Sequence, residues 1–342
     1  MEEIYKGIFR CHLSIDADDE GVRSANVFLI PSADGARHLL IDAGFRTEES
    51  LRIVDAAMRE KGMRYADTDV FITHRHHDHA GLCSVLQARG ARIFMNGREE
   101  RHPYDCLAYR PGAETERAQE DILKSVGVSR EMTPELFEKF QFVNEAWAKK
   151  DRWFLSLPGF PYTDIEEGWT FRAGGFVLET LPLKGHTFGQ MGLWDRKKKI
   201  LFTADQVIDG VSPIVATTYQ GEKLLEAYMD SLEWLENVCG DFTVIPSHGE
   251  EIHDLSGAVR QTLASYRRKI DGTRKIVQAA RRPVTVREVA FLAYGMTENV
   301  TSSRDLMKIK MVLTKTHSLL EYLSDRGSVR CLERDGVYYF AT

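Results

Sequence analysis

Six consecutive positions hold four histidines and one aspartate, in the run His74-Arg75-His76-His77-Asp78-His79. Neutral imidazole and carboxylate at this density suit zinc, iron or manganese. The run follows Asp69-Val70-Phe71-Ile72, whose β-branched and aromatic residues read as a buried strand. Ala80 to Arg89 then reads as a helix closed by Gly90. The cluster is thus predicted on a strand-to-helix loop, where a rigid scaffold can aim side chains into a cleft. The alternative is a hydrated histidine-rich loop. Three further polar residues argue against it, each just past a strand-like run. His186 follows Phe176 to Leu183, Asp205 follows Ile200 to Ala204, and His248 follows Phe242 to Ser247. Singly each is a loop or capping residue, but their repetition makes them candidate ligands.

The ordered set His74-x-His76-x-Asp78-His79, His186, Asp205 and His248 resembles the five-motif signature of the metallo-β-lactamase superfamily. Leu40-Ile41-Asp42-Ala43-Gly44 and Gly185-His186-Thr187-x-Gly189 match its other landmarks, and the resemblance spans residues 4 to 255. It implies an α/β fold, the αββα sandwich of that superfamily. It also implies two divalent ions, zinc in first place with iron or manganese accepting the same ligands. The first ion would take His74, His76 and His186, the second Asp78, His79 and His248, with Asp205 bridging. Asp78 would also be the catalytic residue, orienting the nucleophile. Two cations sharing a water lower its pKa toward neutrality, so hydroxide can attack a carbonyl or phosphorus. One cation then stabilises the developing oxyanion. Arg75 and His77 alternate out of the ligand set and are expected to be loop or supporting residues.

Position 76 is His where flavodiiron reductases have Glu, and position 205 is Asp where many true metallo-β-lactamases have Cys or Ser. The complete set resembles glyoxalase II-like thioesterases and the nuclease branch. Leu82 departs from the second glycine common in the glyoxalase II form.

The rest of the 342-residue chain fits a soluble globular protein of about two domains, with 43% apolar and 28% charged residues. No run approaches the roughly 18 apolar residues of a membrane span. The start lacks signal-peptide character, and Cys11, Cys83, Cys106, Cys239 and Cys331 are odd in number and scattered. A cytoplasmic protein with reduced thiols is therefore expected. Strands are expected over Ile4 to Leu13, Asn26 to Pro31 and His38 to Ile41, with turns around Asp16 to Gly21 and at Asp34-Gly35. A helix is expected from Thr47 to Lys61. Residues 97–175 interrupt the strand rhythm with helical patterns and the aromatic passage Trp153 to Tyr162. They are expected to form a helical lid within a 1–255 domain, walling a pocket. Packing of Trp147, Trp153, Phe154 and Phe160 onto the body is the competing role.

From about Ser256 to Thr342 three helical patterns and a hairpin around Asp335-Gly336 resemble a winged-helix domain. Residues 260–342 carry +8 and the remainder −14. None of the candidate ligands lies in this tail, so it is expected to add little to the chemistry. Its charge could hold nucleic acid, or its fold could make a homodimer contact. Two enzyme readings follow: a hydrolase of a small acyl or thioester substrate, and a nuclease or phosphodiesterase using the basic tail. A third is a non-enzymatic sensor that keeps the metals. The body's negative charge favours the small substrate.

Overall fold

The computed structural model describes residues 1–17, 21–33, 36–100, 113–148 and 159–342. The Asp34-Gly35 turn, Cys106, Trp153 and Phe154 lie outside them, and so does the side chain of Trp147.

Among the described residues the body is built on two facing sheets. The chain opens with β1 (Glu2–Tyr5), β2 (Ile8–Ala17), β3 (Gly21–Ile30) and β4 (His38–Ile41), all antiparallel neighbours. The single strand expected over residues 4 to 13 is in fact a hairpin. Gly7 adopts φ +86 and donates its N–H to Glu3 Oε1, which breaks the extended run. Helix α1 (Glu48–Glu60) follows, with Thr47 accepting from the Ser50 N–H and Glu48 and Glu49 in the first turn. Strand β5 (Thr68–Phe71) then lies parallel to β4.

Beyond β5 the expected helix from 80 to 89 is two short ones, α2 (His77–Ala80) and α3 (Cys83–Ala88). The first begins inside the histidine cluster. Gly81 lies between them, where a Cβ would fall on the backbone of Gly44 and Arg46. Strand β6 (Arg92–Met95) continues the parallel run.

Helices α4 (Ala113–Ser125) and α5 (Pro134–Ala148) form the helical part of the insertion. It is narrower than the expected 97–175, because β7 (Thr163–Asp164) already joins the first sheet and β8 (Thr170–Ala173) the second. That second sheet continues with β9 (Phe176–Pro182), β10 (Met191–Asp195), β11 (Ile200–Ala204) and β12 (Thr243–Pro246). Its spatial order is β12-β11-β10-β9-β8, with α6 (Leu224–Cys239) between β11 and β12. Lys197 to Lys199 lie in the solvated β10–β11 turn.

Burial shows the layering. Phe28, Ile41 and Phe71 of the first sheet meet Phe171, Leu193 and Phe202 of the second between the sheets. Outside the first sheet, Val54 and Met58 of α1 and Leu86 of α3 pack on Leu13, Val27 and Val70. Outside the second, Leu225, Leu232 and Tyr228 of α6 cover Leu181 and Leu201. This is the αββα arrangement, held by apolar area removed from water on three interfaces.

The tail holds α7 (Leu255–Ala280), β13 (Val284–Thr285), α8 (Val286–Tyr294), α9 (Ser303–Asp325), β14 (Arg330–Arg334) and β15 (Val337–Ala341). Both α8 and α9 start in capping boxes, Thr285 with Glu288 and Ser302 with Asp305. The Asp335-Gly336 turn has φ +50 and +77, as a tight hairpin demands. The short strand β13, not expected from sequence, pairs with β15. Helix α7 is a shared element: Leu255, Val259, Leu263 and Tyr266 pack on the body, whereas Val277 packs in the tail.

The insertion leans on that tail. Leu123, Val126, Leu136, Phe137 and Phe140 share one apolar core with Val289, Leu313, Leu320 and Phe340. Phe160, placed by the sequence among candidate pocket walls, is instead buried in the core of the first sheet, with the Arg75 guanidinium 5.8 Å from its ring. Packing is its role. No helix among the described residues is long and apolar enough to cross a membrane.

Candidate metal centre

All seven candidate ligands lie at the same end of the two sheets. His74, His76, Asp78 and His79 follow β5, His186 follows β9, Asp205 follows β11, and His248 follows β12. Strand ends converge because the strands are packed face to face, so residues far apart in sequence meet where the chain leaves the sheets. Gly185 makes the turn into His186 at φ +104, and a Cβ there would strike the α6 backbone at Tyr228 and Leu224.

Two clusters result, His74 with His76, His186 and Asp205, and Asp78 with His79 and His248. In the first, His76 Nδ1 is 2.8 Å from His74 Nε2 and 3.2 Å from His186 Nε2. Asp205 Oδ2 faces this cluster, 3.5 Å from His186 Nε2 and 3.9 Å from His74 Nε2. Asp205 Oδ1 faces the other, 3.2 Å from His248 Nε2 and 3.6 Å from His79 Nε2. Asp78 completes it, 3.6 Å from both His79 Nε2 and His248 Nε2.

Hydrogen bonds on the outer side of each ring fix which nitrogen faces inward. His186 Nδ1 lies 2.9 Å from the Ile214 carbonyl and His248 Nδ1 2.6 Å from that of Ser24. A carbonyl only accepts, so both Nδ1 atoms carry the proton and both Nε2 atoms present a lone pair. His79 Nδ1 is 2.8 Å from Asp42 Oδ2, which sets the same tautomer. Thr73 Oγ1 donates to Asp42 Oδ2 at 3.0 Å, so it can only accept from His74 Nδ1, also at 3.0 Å. With the rings neutral, as metal binding requires, four Nε2 lone pairs therefore point into the centre.

These donors fit divalent ions. Atoms about 2.0–2.1 Å from one tetrahedral ion stand roughly 3.3 Å apart, close to the separations within each cluster. His79 Nε2 and Asp205 Oδ1 are buried without a hydrogen-bond partner, a costly arrangement that a shared cation resolves. Outer partners that orient ligating imidazoles are the usual support of such a site.

The electrostatics run the same way. Burial, reinforced by neighbouring imidazoles, keeps His74 well below its ordinary pKa and pushes His186 down to about 4. Burial also opposes charge on His79 and His248, but the carboxylates outweigh it. Asp78, Asp205 and Asp42 raise His79, and Asp205 with Asp78 lifts His248 to about 9. Asp78 and Asp205 are in turn held low by those imidazoles, against the upward push of burial. Carboxylates in a buried pocket concentrate a negative potential that favours cations. His76, Asp78 and His248 are the half-buried members and mark the solvent side.

Arg75 and His77 stay outside both clusters. Arg75 pairs with Glu100 at 2.8 Å and His77 packs against Phe45. Two supporting residues were not among the candidates. Asp42 was noted only as part of a landmark, yet its carboxylate accepts from Thr73 N–H, Thr73 Oγ1, His79 Nδ1 and Ser247 Oγ. Glu99 accepts from Arg75 N–H at 2.8 Å, Thr187 Oγ1 at 2.7 Å and Gly189 N–H at 2.6 Å. It ties the first ligand loop to the His186 loop, and burial raises its pKa against those donors. Glu99→Ala is expected to lower the unfolding free energy by about 2–4 kcal/mol, because buried donors lose their acceptor. Urea titration measures it; a loss under about 1 kcal/mol overturns the role.

Comparison with known proteins agrees with this geometry. The chain is 24% identical over 318 residues to the probable metallo-hydrolase YqjP of Bacillus subtilis, covering 89% of each. It is 25% identical over 142 residues to the hydroxyacylglutathione hydrolase GloC of Haemophilus influenzae, covering 41% of this chain and 50% of that one. Among solved structures, a metallo-beta-lactamase family protein from Thermus thermophilus superposes with TM-score 0.76 at 19% identity, over 98% and 99% of the two chains. The model of the Metallo-beta-lactamase superfamily matches residues 21–251, and the chain belongs to that superfamily.

Proposed function

We propose that the protein is a dinuclear metal-dependent hydrolase acting on a small acyl substrate, a thioester in first place. The observation that carries the proposal is Asp205, whose two oxygens face two separate clusters of ligand atoms. His74, His76 and His186 would hold one ion and Asp78, His79 and His248 the other, with Asp205 between them. Zinc suits these ligands best, and iron or manganese would also be accepted. When bound, the two ions would lower the pKa of water and polarise the scissile carbonyl.

The chain's own residues do the remaining work. Asp78, on the solvent side, is placed to accept a proton from the attacking water and orient its lone pair. His79 and His248 keep their tautomers through Asp42 and the Ser24 carbonyl, so neither ring has to reorient during turnover. The buried floor of His74 and His186 excludes bulk water beneath the reacting carbon.

Two observations favour a small acyl substrate over nucleic acid. One relative is named as a hydrolase of hydroxyacylglutathione, an acyl compound. At least seven of the tail's sixteen basic side chains, moreover, pair with carboxylates. Arg260, Arg267 and Arg326 pair with Glu236, Glu233 and Glu226 of α6, and Arg274, Lys275, Arg282 and Arg287 pair within the tail. Each exposed pair is worth under about 1 kcal/mol, but together they offset part of the positive charge that a polyanion would meet.

A panel of acyl thioesters, lactones, phosphodiesters and RNA tests the reading, run on wild type and on a chain with Arg267, Arg268 and Lys269 changed to Glu. Thioester turnover is expected to persist in both, since none of these side chains belongs to either cluster of proposed ligands. Salt-sensitive RNA or DNA cleavage abolished by the reversal, without thioester turnover, would establish the nuclease instead.

A further inference from the structure

His186 is oriented by the carbonyl of Ile214, and the segment carrying that carbonyl is held by the tail. Residues 212 to 218 belong to no helix or strand. Three successive carbonyls in this segment have three different partners. Tyr266 of α7 donates its hydroxyl to the Pro213 carbonyl at 2.5 Å. Ser318 Oγ of α9 is within donating distance of the Val215 carbonyl at 3.0 Å, and shares its one proton between that acceptor, Thr217 Oγ1 at 2.9 Å and the Thr314 carbonyl at 3.2 Å. The carbonyl between them accepts from His186 Nδ1 at 2.9 Å.

Tyr266 and Ser318 thus anchor the residues on either side of Ile214, whose carbonyl is the one that meets His186 Nδ1. The anchor continues along α9. Thr217 N–H donates to Ser318 Oγ at 2.8 Å, and Glu321 accepts from Gly221 N–H at 2.6 Å and Lys223 N–H at 3.1 Å. Ser318 and Glu321 are each 1% exposed, so water offers no ready substitute. The Ser318 hydroxyl accepts from one backbone group and can donate to another, a bridge that alanine cannot make.

We infer that Tyr266 and Ser318 are positioning residues of the metal centre, acting through Ile214 on His186, so that the tail completes a site to which it contributes no ligand. This reverses the sequence-based expectation that the tail adds little to the chemistry. It rests on reading His186 as a ligand.

The test uses the full-length chain, stripped of metal and titrated with Zn(II) against a chromophoric chelator. Ser318→Ala and Tyr266→Phe are expected to bind one of two zinc ions about tenfold more weakly or worse, the scale seen when outer partners of ligating histidines are removed. Ser318→Thr, which keeps the hydroxyl, is expected to restore affinity. Phe340→Leu supplies the control: it loosens the tail core away from the 212–218 segment. It should lower the melting temperature of the stripped protein while leaving both zinc affinities at the wild-type level. His186→Ala separates the two layers of the argument. If His186→Ala loses an ion while Ser318→Ala and Tyr266→Phe bind both as tightly as wild type, the inference fails and the ligand reading stands. If His186→Ala binds both ions normally, the ligand reading itself fails. Equal weakening by Phe340→Leu would reduce the effect to general stability and also overturn the inference.

Discussion

Asp205→Ala is expected to leave the protein with fewer than two metals per chain and to lower hydrolysis by roughly three orders of magnitude or more, the scale of losing a preorganised charge at a reacting centre. Its Oδ1 lies 3.2 Å from His248 Nε2 and its Oδ2 3.5 Å from His186 Nε2, so one side chain faces both clusters. Truncation therefore removes an anionic ligand from both proposed ions and leaves His74 and His186 without the carboxylate that favours positive charge on them. Asp205→Asn separates charge from shape: it fills the same volume but cannot supply the negative charge. Elemental analysis of both variants beside wild type gives the stoichiometry, and thioester turnover gives the activity. If the asparagine variant is as depleted as the alanine variant, charge is the cause. A metal-free wild-type preparation with full activity would remove the basis of the reading.

The convergence of the seven candidate positions was legible because each combines two local signals, a residue type that can bind metal and a place just past an apolar run. His248 shows how far this reaches: Val244-Ile245-Pro246 fixes a buried strand, and the first polar side chains after it mark where the chain leaves the sheet. The helices of the tail were legible for a similar reason. Thr285 and Ser302 with their acids three residues on are capping boxes that act within one turn, so no distant contact decides them.

What the sequence withheld depends on contacts between remote segments. Glu99 sits in Gly97-Arg98-Glu99-Glu100, where nothing separates it from its solvated neighbours, yet it is buried and bridges residues 75 and 189. Along α9 the stripe of Leu306, Ile309, Leu313 and Leu320 recurs at helical spacing and forms a core face. Ser318 and Glu321 lie beside that stripe and face a segment about a hundred residues away. Periodicity reports which side of a helix is apolar and says nothing of a polar partner met on its flank. The tail's +8 is partly offset from outside it for the same reason: Glu226, Glu233 and Glu236 of α6 supply counter-charges that composition assigns to the body.

Asp42 is the residue whose loss should most damage the fold beneath the centre. It stands at the end of β4 with φ +61, a left-handed backbone that aspartate tolerates better than alanine. Fully buried, its carboxylate gathers the Thr73 N–H at 2.9 Å, the Thr73 hydroxyl at 3.0 Å, His79 Nδ1 at 2.8 Å and the Ser247 hydroxyl at 3.1 Å. Those donors come from the ends of β5 and β12 and from α2, so one side chain joins both halves of the sandwich. Asp42→Ala strands several buried donors and adds backbone strain, for an expected loss of about 3–5 kcal/mol in the unfolding free energy of the metal-stripped protein. Asp42→Asn keeps one acceptor oxygen and the tolerance for the left-handed backbone, and should lose about 1–3 kcal/mol. Both variants free the His79 ring to change tautomer, so zinc affinity should fall about tenfold to a hundredfold. Urea unfolding measures the first effect and chelator competition the second. A metal-stripped Asp42→Ala protein within about 1 kcal/mol of wild type would show that water replaces the carboxylate, and the joint between the two halves would have to lie elsewhere.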